Sequence, residues 1–523
     1  MTRYTSGLLL LAVTACASPA VEPANIAPAD ASAGPAAAAA TITPADFARH
    51  IGFLASDALR GRDTPSPGLD QAAEYVADHF ERLGLRPAGV DGTYFQRYPL
   101  QRRALDVDGT RLELATASER PALDYGTDFF AVAGVPDSAS GTPVFTGTDV
   151  GRRDAPGALR GRVATLYLPG LPTSRSFGRT AERLRVAAGE EGAIAVLFIL
   201  DPRFPTEMVA QVAELSATPR GWQLGAVEGP PAFFLRYDPA RAVFRAAGLD
   251  LDRLRQRAEQ GPITPVPIPG VTARFAAPVR ILEEHRPPNV VAVLPGSDPA
   301  LRDTYVVFSA HMDHVGVGRP DATGDSIYNG ADDNASGTSA LLEVAEAFAA
   351  LDVPPARSLL FLAVSGEEKG LLGSSYFTDH PTVPLDAIVA DLNVDMIGRN
   401  APDSIVVIGQ EYSSLGPLVH EVAAAHPDLG LTVSEDLWPE ERFFFRSDHF
   451  NFARKDIPAL FFFAGTHEDY HRPSDEPEKI DRAKAARVAK LIFYTAHEIA
   501  MRPEPPQWTE EGLREVHRLT GGR

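Results

Sequence analysis

The sequence contains very little cysteine: among 523 residues there is one, Cys16. A disulfide framework needs at least two cysteines and a thiolate metal site needs several, so both are excluded. Any metal ion that this chain binds must therefore be held by histidine, aspartate or glutamate side chains.

Basic residues are scarce relative to acidic ones. Lys and Arg number 49 against 69 Asp and Glu, which gives a formal net charge of −20. A negative field of this kind repels nucleic acid and anionic lipid, so we expect no nucleic-acid partner. Hydrophobic residues make up 44% and charged residues 23%, which is ordinary for a globular protein of two or three domains.

Long apolar runs are also lacking. The run from Leu8 to Val13 follows the basic Arg3 and is too short to span a bilayer, so it is typical of a signal peptide. The residues Val13-Thr14-Ala15 before Cys16 resemble a bacterial lipobox, which implies cleavage before Cys16 and acylation of its sulfur. We therefore predict an exported lipoprotein of the bacterial cell envelope, on the outer membrane or facing the periplasm. The alternative is a secreted protein with a plain signal peptide.

Composition divides the chain into segments. We predict a signal peptide and lipobox at 1–16, a disordered tether of Ala, Pro and Ser at 17–40, and a C-terminal tail at 504–523. Between the tether and the tail we predict the N-terminal part of the main domain at 41–124, a β-rich α+β insert at 125–280 and the rest of the main domain at 281–503. Because strands and helices alternate after Pro288, the main domain is predicted to be α/β, with a mixed, mostly parallel sheet sandwiched by helices.

Acidic residues and histidines follow the strand-like runs of the main domain. Such residues occur at the following positions: His311 and Asp313 after Tyr305 to Phe308, Glu367 and Glu368 after Leu359 to Val364, Asp395 after Ala387 to Val394, His471 after Ala459 to Phe463, and Asp333 just before a helix. Ligands of open α/β sheets gather beyond the carboxyl ends of the strands. Each residue alone is unremarkable, but their coincidence in one α/β unit indicates a metal site.

These side chains suit zinc, because imidazole and carboxylate groups are common zinc ligands and two ions sharing one carboxylate need about five protein ligands. A pair of zinc ions would polarise a scissile carbonyl and activate water, and a further carboxylate would then have to move the proton. Of the adjacent Glu367 and Glu368, one can bind metal and the other can act as base. Asp313 can orient His311.

Five segments together resemble the M28 zinc peptidases, which are co-catalytic aminopeptidases and their relatives. They occur in the family's order: His311-Met312-Asp313, Gly330-Ala331-Asp332-Asp333-Asn334-Ala335-Ser336-Gly337, Gly366-Glu367-Glu368-Lys369-Gly370, Asn393-Val394-Asp395-Met396 and Tyr470-His471-Arg472-Pro473-Ser474-Asp475. The segment from Leu54 to Gly61 also resembles the start of bacterial members, so the resemblance runs from about residue 45 to about residue 500. It implies the zinc aminopeptidase fold, of the phosphorylase/hydrolase-like type.

The resemblance also implies a role for each residue. His311 and Asp395 would bind one zinc ion, Glu368 and His471 would bind the other, and Asp333 would bridge the two. Glu367 would be the general base, with Asp313 supporting His311. In the middle segment, Gly161-Arg162-Val163 and Glu191-Gly192-Ala193-Ile194-Ala195-Val196 resemble a protease-associated domain.

One family segment departs from the expected pattern. Ser447-Asp448-His449 matches a stretch near the substrate pocket, where some members carry a tyrosine three residues before the serine, but this chain has Phe444 there. Oxyanion stabilisation is therefore expected from zinc alone, or from a residue such as Tyr470 or His449. Ser447, Asp448, His449 and Tyr470 are the predicted pocket residues.

The predicted function is removal of N-terminal residues from peptides with a free N-terminus, because an acidic zinc site favours an ammonium group. Arg399 and Arg446 are the best candidates to clamp a C-terminal carboxylate, so a carboxypeptidase is one alternative. A glutaminyl cyclase, which would retain one zinc ion, is another. A surface-binding protein with an inactive site is the third, and an intact Glu367 argues against it.

Overall fold

The structure is a computed structural model that describes residues 34–116, 119–132, 138–150, 157–170, 175–219, 221–225 and 229–520. The predicted signal peptide and Cys16, the predicted site of lipidation, lie outside the described residues. In the described part of the chain, no helix is both long enough and apolar enough to cross a membrane.

The prediction of a disordered tether up to residue 40 is wrong for its last residues. Pro35–Ala39 form a short helix with proline at its first position, and Ala38 and Ala39 are buried in the main hydrophobic core. Alanine has the highest helix propensity, and its methyl side chain fits a narrow space between larger helices. The packed structure therefore begins before Thr43, whose side chain caps the next helix by accepting from the Asp46 backbone N–H.

The main domain is built on a nine-stranded mixed sheet. Its strands lie in the spatial order Arg86–Pro87, Pro288–Leu294, Ser358–Val364, Tyr305–His311, Ile388–Val394, Ala459–Phe463, Ser404–Ile408 and Thr432–Ser434, with Phe95–Arg97 also paired to Pro288–Leu294. The four central strands, from Ser358–Val364 to Ala459–Phe463, are mutually parallel, so their carboxyl ends meet at one edge.

Helices cover both faces of this sheet. They are Pro44–Leu54, Pro67–Arg82, Gly337–Ala349, Leu372–Asp379, Leu415–Ala425, His449–Ala453 and Arg482–Met501. Successive strand residues alternate between two cores: Val290 and Ala292 pack on one side, and Val291 and Val293 on the other. This period of two is what a strand buried on both faces requires. The predicted α/β sandwich is confirmed.

The inserted domain has a six-stranded mixed sheet and its own cores. Its strands are, in spatial order, Val266–Pro267, Pro143–Gly147, Val163–Leu168, Ala195–Leu200, Ala232–Leu235 and Phe129–Val132, and its helices are Arg175–Glu190, Thr206–Ala217, Tyr237–Ala246 and Leu251–Glu259. Smaller sheets join Arg111–Ala115, Thr272–Ala276 and Ser138–Gly141, then Gln223–Leu224, Leu100–Leu105 and Val279–His285, and lastly Gly316–Val317 with Ile327–Tyr328.

The insert begins earlier than the sequence predicts. The strand Arg111–Ala115, assigned by sequence to the main domain, pairs with Thr272–Ala276 of the insert. This pairing joins residues about 160 positions apart, so no local pattern announces it. The likeness of the insert to a protease-associated domain stays a prediction.

The C-terminal segment is folded against the main domain. Glu510–Thr520 form a helix, and Val516 on it is fully buried. The Trp508 indole N–H donates to the Asp456 carbonyl at 2.8 Å, and the Thr509 N–H donates to the Tyr412 carbonyl at 2.9 Å.

Candidate metal centre

The carboxyl edge of the central strands collects the predicted ligands. His311 is the last residue of its strand, Asp395 directly follows Val394, and Glu368 lies four residues after Val364. His471 comes from the loop after Ala459–Phe463, and Asp333 from the segment before Gly337–Ala349. The structure brings all five side chains together, in two adjoining groups of potential ligand atoms.

The first group is formed by His311, Asp395 and one oxygen of Asp333. His311 Nε2 lies 3.3 Å from Asp333 Oδ1 and 3.3 Å from Asp395 Oδ1. Glu367 belongs to the same cluster.

The second group is formed around the other oxygen of Asp333. His471 Nε2 lies 3.0 Å from Asp333 Oδ2 and 3.1 Å from Glu368 Oε2. His314 joins it, with Nδ1 2.9 Å from Glu368 Oε1. Asp333 therefore presents one carboxylate oxygen to each group, as a bridging ligand would.

The position of Asp333 is fixed by its backbone. Asp475 accepts hydrogen bonds from the backbone N–H groups of Asp332 and Asp333 at 3.0 to 3.2 Å. The peptide bond between Asp333 and Asn334 is cis, and the Asn334 side chain donates to the Val394 carbonyl at 2.9 Å. The Asn334 hydrogen bond ties the segment of Asp333 to the strand that ends at Val394, directly before Asp395.

A fully buried arginine holds the neighbouring loops. The Arg62 guanidinium donates to the carbonyl groups of Leu54, Met312, Asn329 and Gly330. Burial lowers the pKa of Arg62 to about 10, opposed by the carboxylates of Asp313 and Asp333. Arg62 thus remains a cation at neutral pH next to a cluster of acidic groups.

Asp313 has a different contact from the predicted one. Its carboxylate lies 3.7 Å from His311 Nδ1, whereas its backbone oxygen is nearer, at 3.2 Å. The carboxylate instead accepts from Thr64 Oγ1 at 2.8 Å and from the Glu367 backbone N–H at 3.3 Å. The Asp313 side chain therefore positions Glu367 more directly than it positions His311.

The donor atoms fit a pair of zinc ions. Several are buried without a hydrogen-bond partner among the described residues, namely His311 Nε2, Asp395 Oδ1, Glu368 Oε1 and His471 Nε2. Buried polar atoms normally have hydrogen-bond partners, so a set of unpaired nitrogen and oxygen atoms at one place requires an explanation. Donors about 2.0–2.1 Å from a tetrahedral zinc ion lie about 3.3 Å from each other, close to the separations seen here.

The two adjacent glutamates differ in their electrostatics. Burial raises the pKa of Glu367 well above its usual range, and the neighbouring Glu368 and Asp448 add to the effect. Burial and Asp333 oppose ionisation of Glu368, but His314 and His471 outweigh them and lower the pKa of Glu368 to about 2. Opposite shifts at adjacent carboxyl groups are typical of a proton-transfer residue beside a ligand.

A small pocket opens beside the cluster. Its walls include the acidic Asp333, Glu367 and Asp395, the apolar Met396, Phe443, Phe461 and Phe463, and the polar Arg446, Thr466 and Tyr470. The Tyr470 ring stacks on the His471 ring with centroids 3.9 Å apart.

The predicted pocket residues Ser447, Asp448 and His449 do not lie in this wall, and all three are fully buried. Ser447 Oγ donates to Asp395 Oδ2 at 2.9 Å, and Ser374 Oγ donates to Asp448. His449 stacks on Phe461, and burial lowers the pKa of His449 to about 3. Of the four predicted pocket residues, Tyr470 is the one in the wall.

The sequence missed three residues that the structure places at the centre. His314 joins the second ligand group, Asp475 holds the Asp332–Asp333 backbone, and Arg62 fixes the surrounding loops. Asp475 lies inside one of the five recognised segments and His314 directly follows another, so their positions in the sequence were a signal. Nothing in the sequence marks Arg62 as a buried cation.

Comparison with known proteins agrees with this geometry. The model of peptidase family M28 matches residues 289–496, a narrower range than the motifs suggested. This part of the chain is similar to peptidase family M28.

Curated proteins that are similar to this part of the chain include named aminopeptidases and zinc metalloproteases. A probable leucine aminopeptidase of Arthroderma benhamiae is 28% identical over 221 residues, which cover 41% of this chain and 58% of that protein. Leupeptin-inactivating enzyme 1 of Streptomyces exfoliatus is 30% identical over 192 residues, covering 36% and 38%. The chain thus spans less than two thirds of the relatives' length. An aminopeptidase from Aneurinibacillus sp. strain AM-1 has a solved structure with a TM-score of 0.46 at 19% identity, covering 90% of this chain and 97% of that one.

A substitution at Gly330 tests how tightly the segment that leads to Asp333 is packed. The φ of Gly330 is +59°, and a Cβ there would lie 2.2 Å from the Asp333 carbonyl oxygen and 2.5 Å from His314 Cγ. Gly430 has a φ of +57°, but the atom nearest to an added Cβ would be Arg487 Nη1 at 3.5 Å. We expect Gly430→Ala to lower the free energy of unfolding by about 1–2 kcal/mol, and Gly330→Ala by a further 1–3 kcal/mol.

Denaturant unfolding of both variants measures the difference, and zinc content measures its effect on the centre. Gly330→Ala should also bind less zinc than Gly430→Ala. Equal stability and equal zinc content in the two variants would show that the close packing around Asp333 is unimportant.

Proposed function

We propose that this chain is a zinc aminopeptidase that hydrolyses the N-terminal peptide bond with two zinc ions, one on each side of Asp333. The observation that carries the proposal is the division of the Asp333 carboxylate between two donor groups beside a pocket that contains Glu367. The peptidase names of the M28 relatives support it.

In this proposal His311 and Asp395 hold one ion, and Glu368 and His471 hold the other. Asp333 shares its oxygens between them. When bound, the two ions supply polarisation of the scissile carbonyl and a lowered pKa for the attacking water. Ser447 keeps Asp395 in place through its hydroxyl, and Asp475 keeps Asp333 in place through the backbone.

Glu367 is the proposed general base. It lies in the pocket wall and in the same cluster as His311 and Asp395. Its carboxylate takes the proton of the attacking water and then delivers it to the leaving amine. A carboxyl group whose pKa is raised by burial holds that proton better than an exposed one, which suits a residue that must both accept and donate.

Tyr470 is the proposed oxyanion donor. Its hydroxyl has no hydrogen-bond partner among the described residues, and its ring lies in the pocket wall against His471. Burial and the carboxylates of Asp333 and Glu368 raise the pKa of Tyr470, so the phenol stays protonated and can donate. Phe444, by contrast, packs on Tyr412 and His449 and lines a different groove.

The charges of the pocket favour a substrate ammonium group. Of the two arginines considered as a carboxylate clamp, Arg399 is bound to Asp469 at 2.9 Å and lies outside the pocket wall. Arg446 is the basic residue in the wall, and the exposed Glu441 lies 3.2 Å from it. A guanidinium that already has a carboxylate partner is a poor clamp for a substrate carboxylate, which argues for an aminopeptidase over a carboxypeptidase. The presence of two donor groups argues against a one-zinc glutaminyl cyclase.

We also propose that the chain is exported and anchored through Cys16, on the basis of the lipobox-like segment. Cys16→Ser should move the protein from the membrane fraction to the soluble fraction of a bacterial host, because the acylated sulfur is lost. Wild-type protein found in the soluble fraction would contradict the anchor and leave the peptidase proposal untouched.

Glu367→Gln tests the base. The amide cannot accept the proton of water, so we expect kcat to fall by about 10²- to 10⁴-fold while zinc content stays at the wild-type level. Glu468→Gln is the matched control, since Glu468 is an exposed glutamate in the loop that carries His471. A Glu367→Gln enzyme with near wild-type kcat would remove Glu367 from the mechanism. A wild-type protein without turnover would support the binding-protein alternative.

Substrates that are blocked at one terminus test which end of a peptide the enzyme attacks. We expect leucyl-anilide to be hydrolysed and N-acetyl-leucyl-anilide to be hydrolysed at least about 100-fold more slowly, because the acetyl group removes the charge that the carboxylates bind. Amidation of a peptide's C-terminus should have little effect, and a chelator should abolish all cleavage. Strong dependence on a free C-terminus would instead indicate a carboxypeptidase.

A further inference from the structure

His314 is the histidine of the centre that the family roles leave without a function. Its ring is fully buried, and Nδ1 lies 2.9 Å from Glu368 Oε1 and 3.7 Å from Asp333 Oδ2. Neither ring nitrogen has a hydrogen-bond partner among the described residues. A buried imidazole with two unpaired nitrogens is costly, so something must engage it.

The short contact between His314 and Glu368 is not a hydrogen bond. Nδ1 and Oε1 are within bonding distance, yet both remain unpaired because the N–H direction does not point at the oxygen. The same holds for His311 Nε2 and His471 Nε2, which lie 3.0–3.3 Å from carboxylate oxygens and are also unpaired. Atoms that bind one ion point at the ion and therefore lie close together without hydrogen bonds between them. His314 Nδ1 has the same arrangement as His311 Nε2 and His471 Nε2.

The ring is held in this orientation by its surroundings. The His314 backbone N–H donates to the Arg62 carbonyl at 3.3 Å, and its ring meets the His471 ring edge to face, with centroids 5.5 Å apart. Gly330 closes the other side, since a Cβ there would lie 2.5 Å from His314 Cγ. Nδ1 is therefore positioned by the fold itself.

We propose that His314 is a fourth protein ligand, through Nδ1, of the zinc site formed by Asp333, Glu368 and His471. The inference rests on the proposed function, because it assumes that this centre binds zinc. It makes the two sites unequal: four protein residues face one ion, and His311, Asp333 and Asp395 face the other.

This inequality assigns different tasks to the two sites. Zinc sites with a full set of protein ligands are typical of structural ions, whereas catalytic sites keep a position for water or substrate. The site of His311 and Asp395 adjoins Glu367 and has the smaller set, so it is the site that exchanges ligands. The His314 site binds its ion more tightly and holds Asp333 in place.

Zinc binding by the full-length His314→Gln variant tests the proposal. Stoichiometry is measured on chelator-treated protein reloaded with zinc, and affinity by competition with a chromophoric chelator. We expect wild type to bind two ions with different affinities. The variant should bind the tighter ion more than about 100-fold more weakly, which exceeds the loss caused by removing a residue that only hydrogen-bonds to a ligand, and the weaker site should be little changed.

His467→Gln is the control for loss of a buried imidazole near the centre. His467 is largely buried and its Nε2 lies 3.2 Å from Asp332 Oδ2, but it belongs to neither ligand group. This variant should retain both ions. If His314→Gln keeps both ions at wild-type affinity, or if both variants lose zinc equally, the proposal is overturned.

Nitrogen-15 NMR of labelled histidines in the wild-type zinc protein gives an answer that does not depend on a variant's folding. In the proposal His314 Nδ1 carries no proton and Nε2 carries one, the reverse of His311 and His471. A proton on His314 Nδ1 would show a residue that orients Glu368 without binding metal. Two bound ions without peptidase activity would refute the proposed function alone, and fewer than two would refute both.

Discussion

The Asp333 carboxylate, shared between two donor groups, is the interaction on which the rest of the centre depends. Each of its oxygens lies 3.0–3.3 Å from a histidine nitrogen of a different group. Glu368 and Asp395 lie close by, and all three carboxylates are largely buried. Like charges 4 Å apart repel by about 4 kcal/mol at an effective dielectric constant of 20, so such a cluster needs cations to be stable. Arg62 supplies one positive charge, and two zinc ions would supply four more.

The fold provides this arrangement through parallel strands and a few buried hydrogen bonds. Parallel pairing of the central strands places His311 and Asp395 at the same edge, without any need for long loops. Asp475 and Arg62 then fix the loops that bring in Asp333 and its neighbours. The chemistry therefore relies on side chains that never touch substrate, and a change in one of them would alter zinc binding before it altered the pocket.

The sequence predicted the sheet and the convergence of His311, Asp333, Glu368, Asp395 and His471, because both follow from local patterns. Buried strands show as apolar runs, and residues directly after parallel strands converge, so Asp395 could be placed from its position alone. The remaining features depend on contacts that no local pattern encodes. Ser447 points inward because Asn393 and Asp395 bind its hydroxyl. His314 enters the centre because Gly330 leaves room for its ring, and Pro35–Ala39 is ordered because distant helices pack on it.

Diffraction recorded on both sides of the zinc absorption edge tests the central claim most directly. Crystals of the zinc-loaded protein should show two anomalous peaks, one beside each oxygen of Asp333. A single peak, or two peaks on the same side of that carboxylate, would contradict the account.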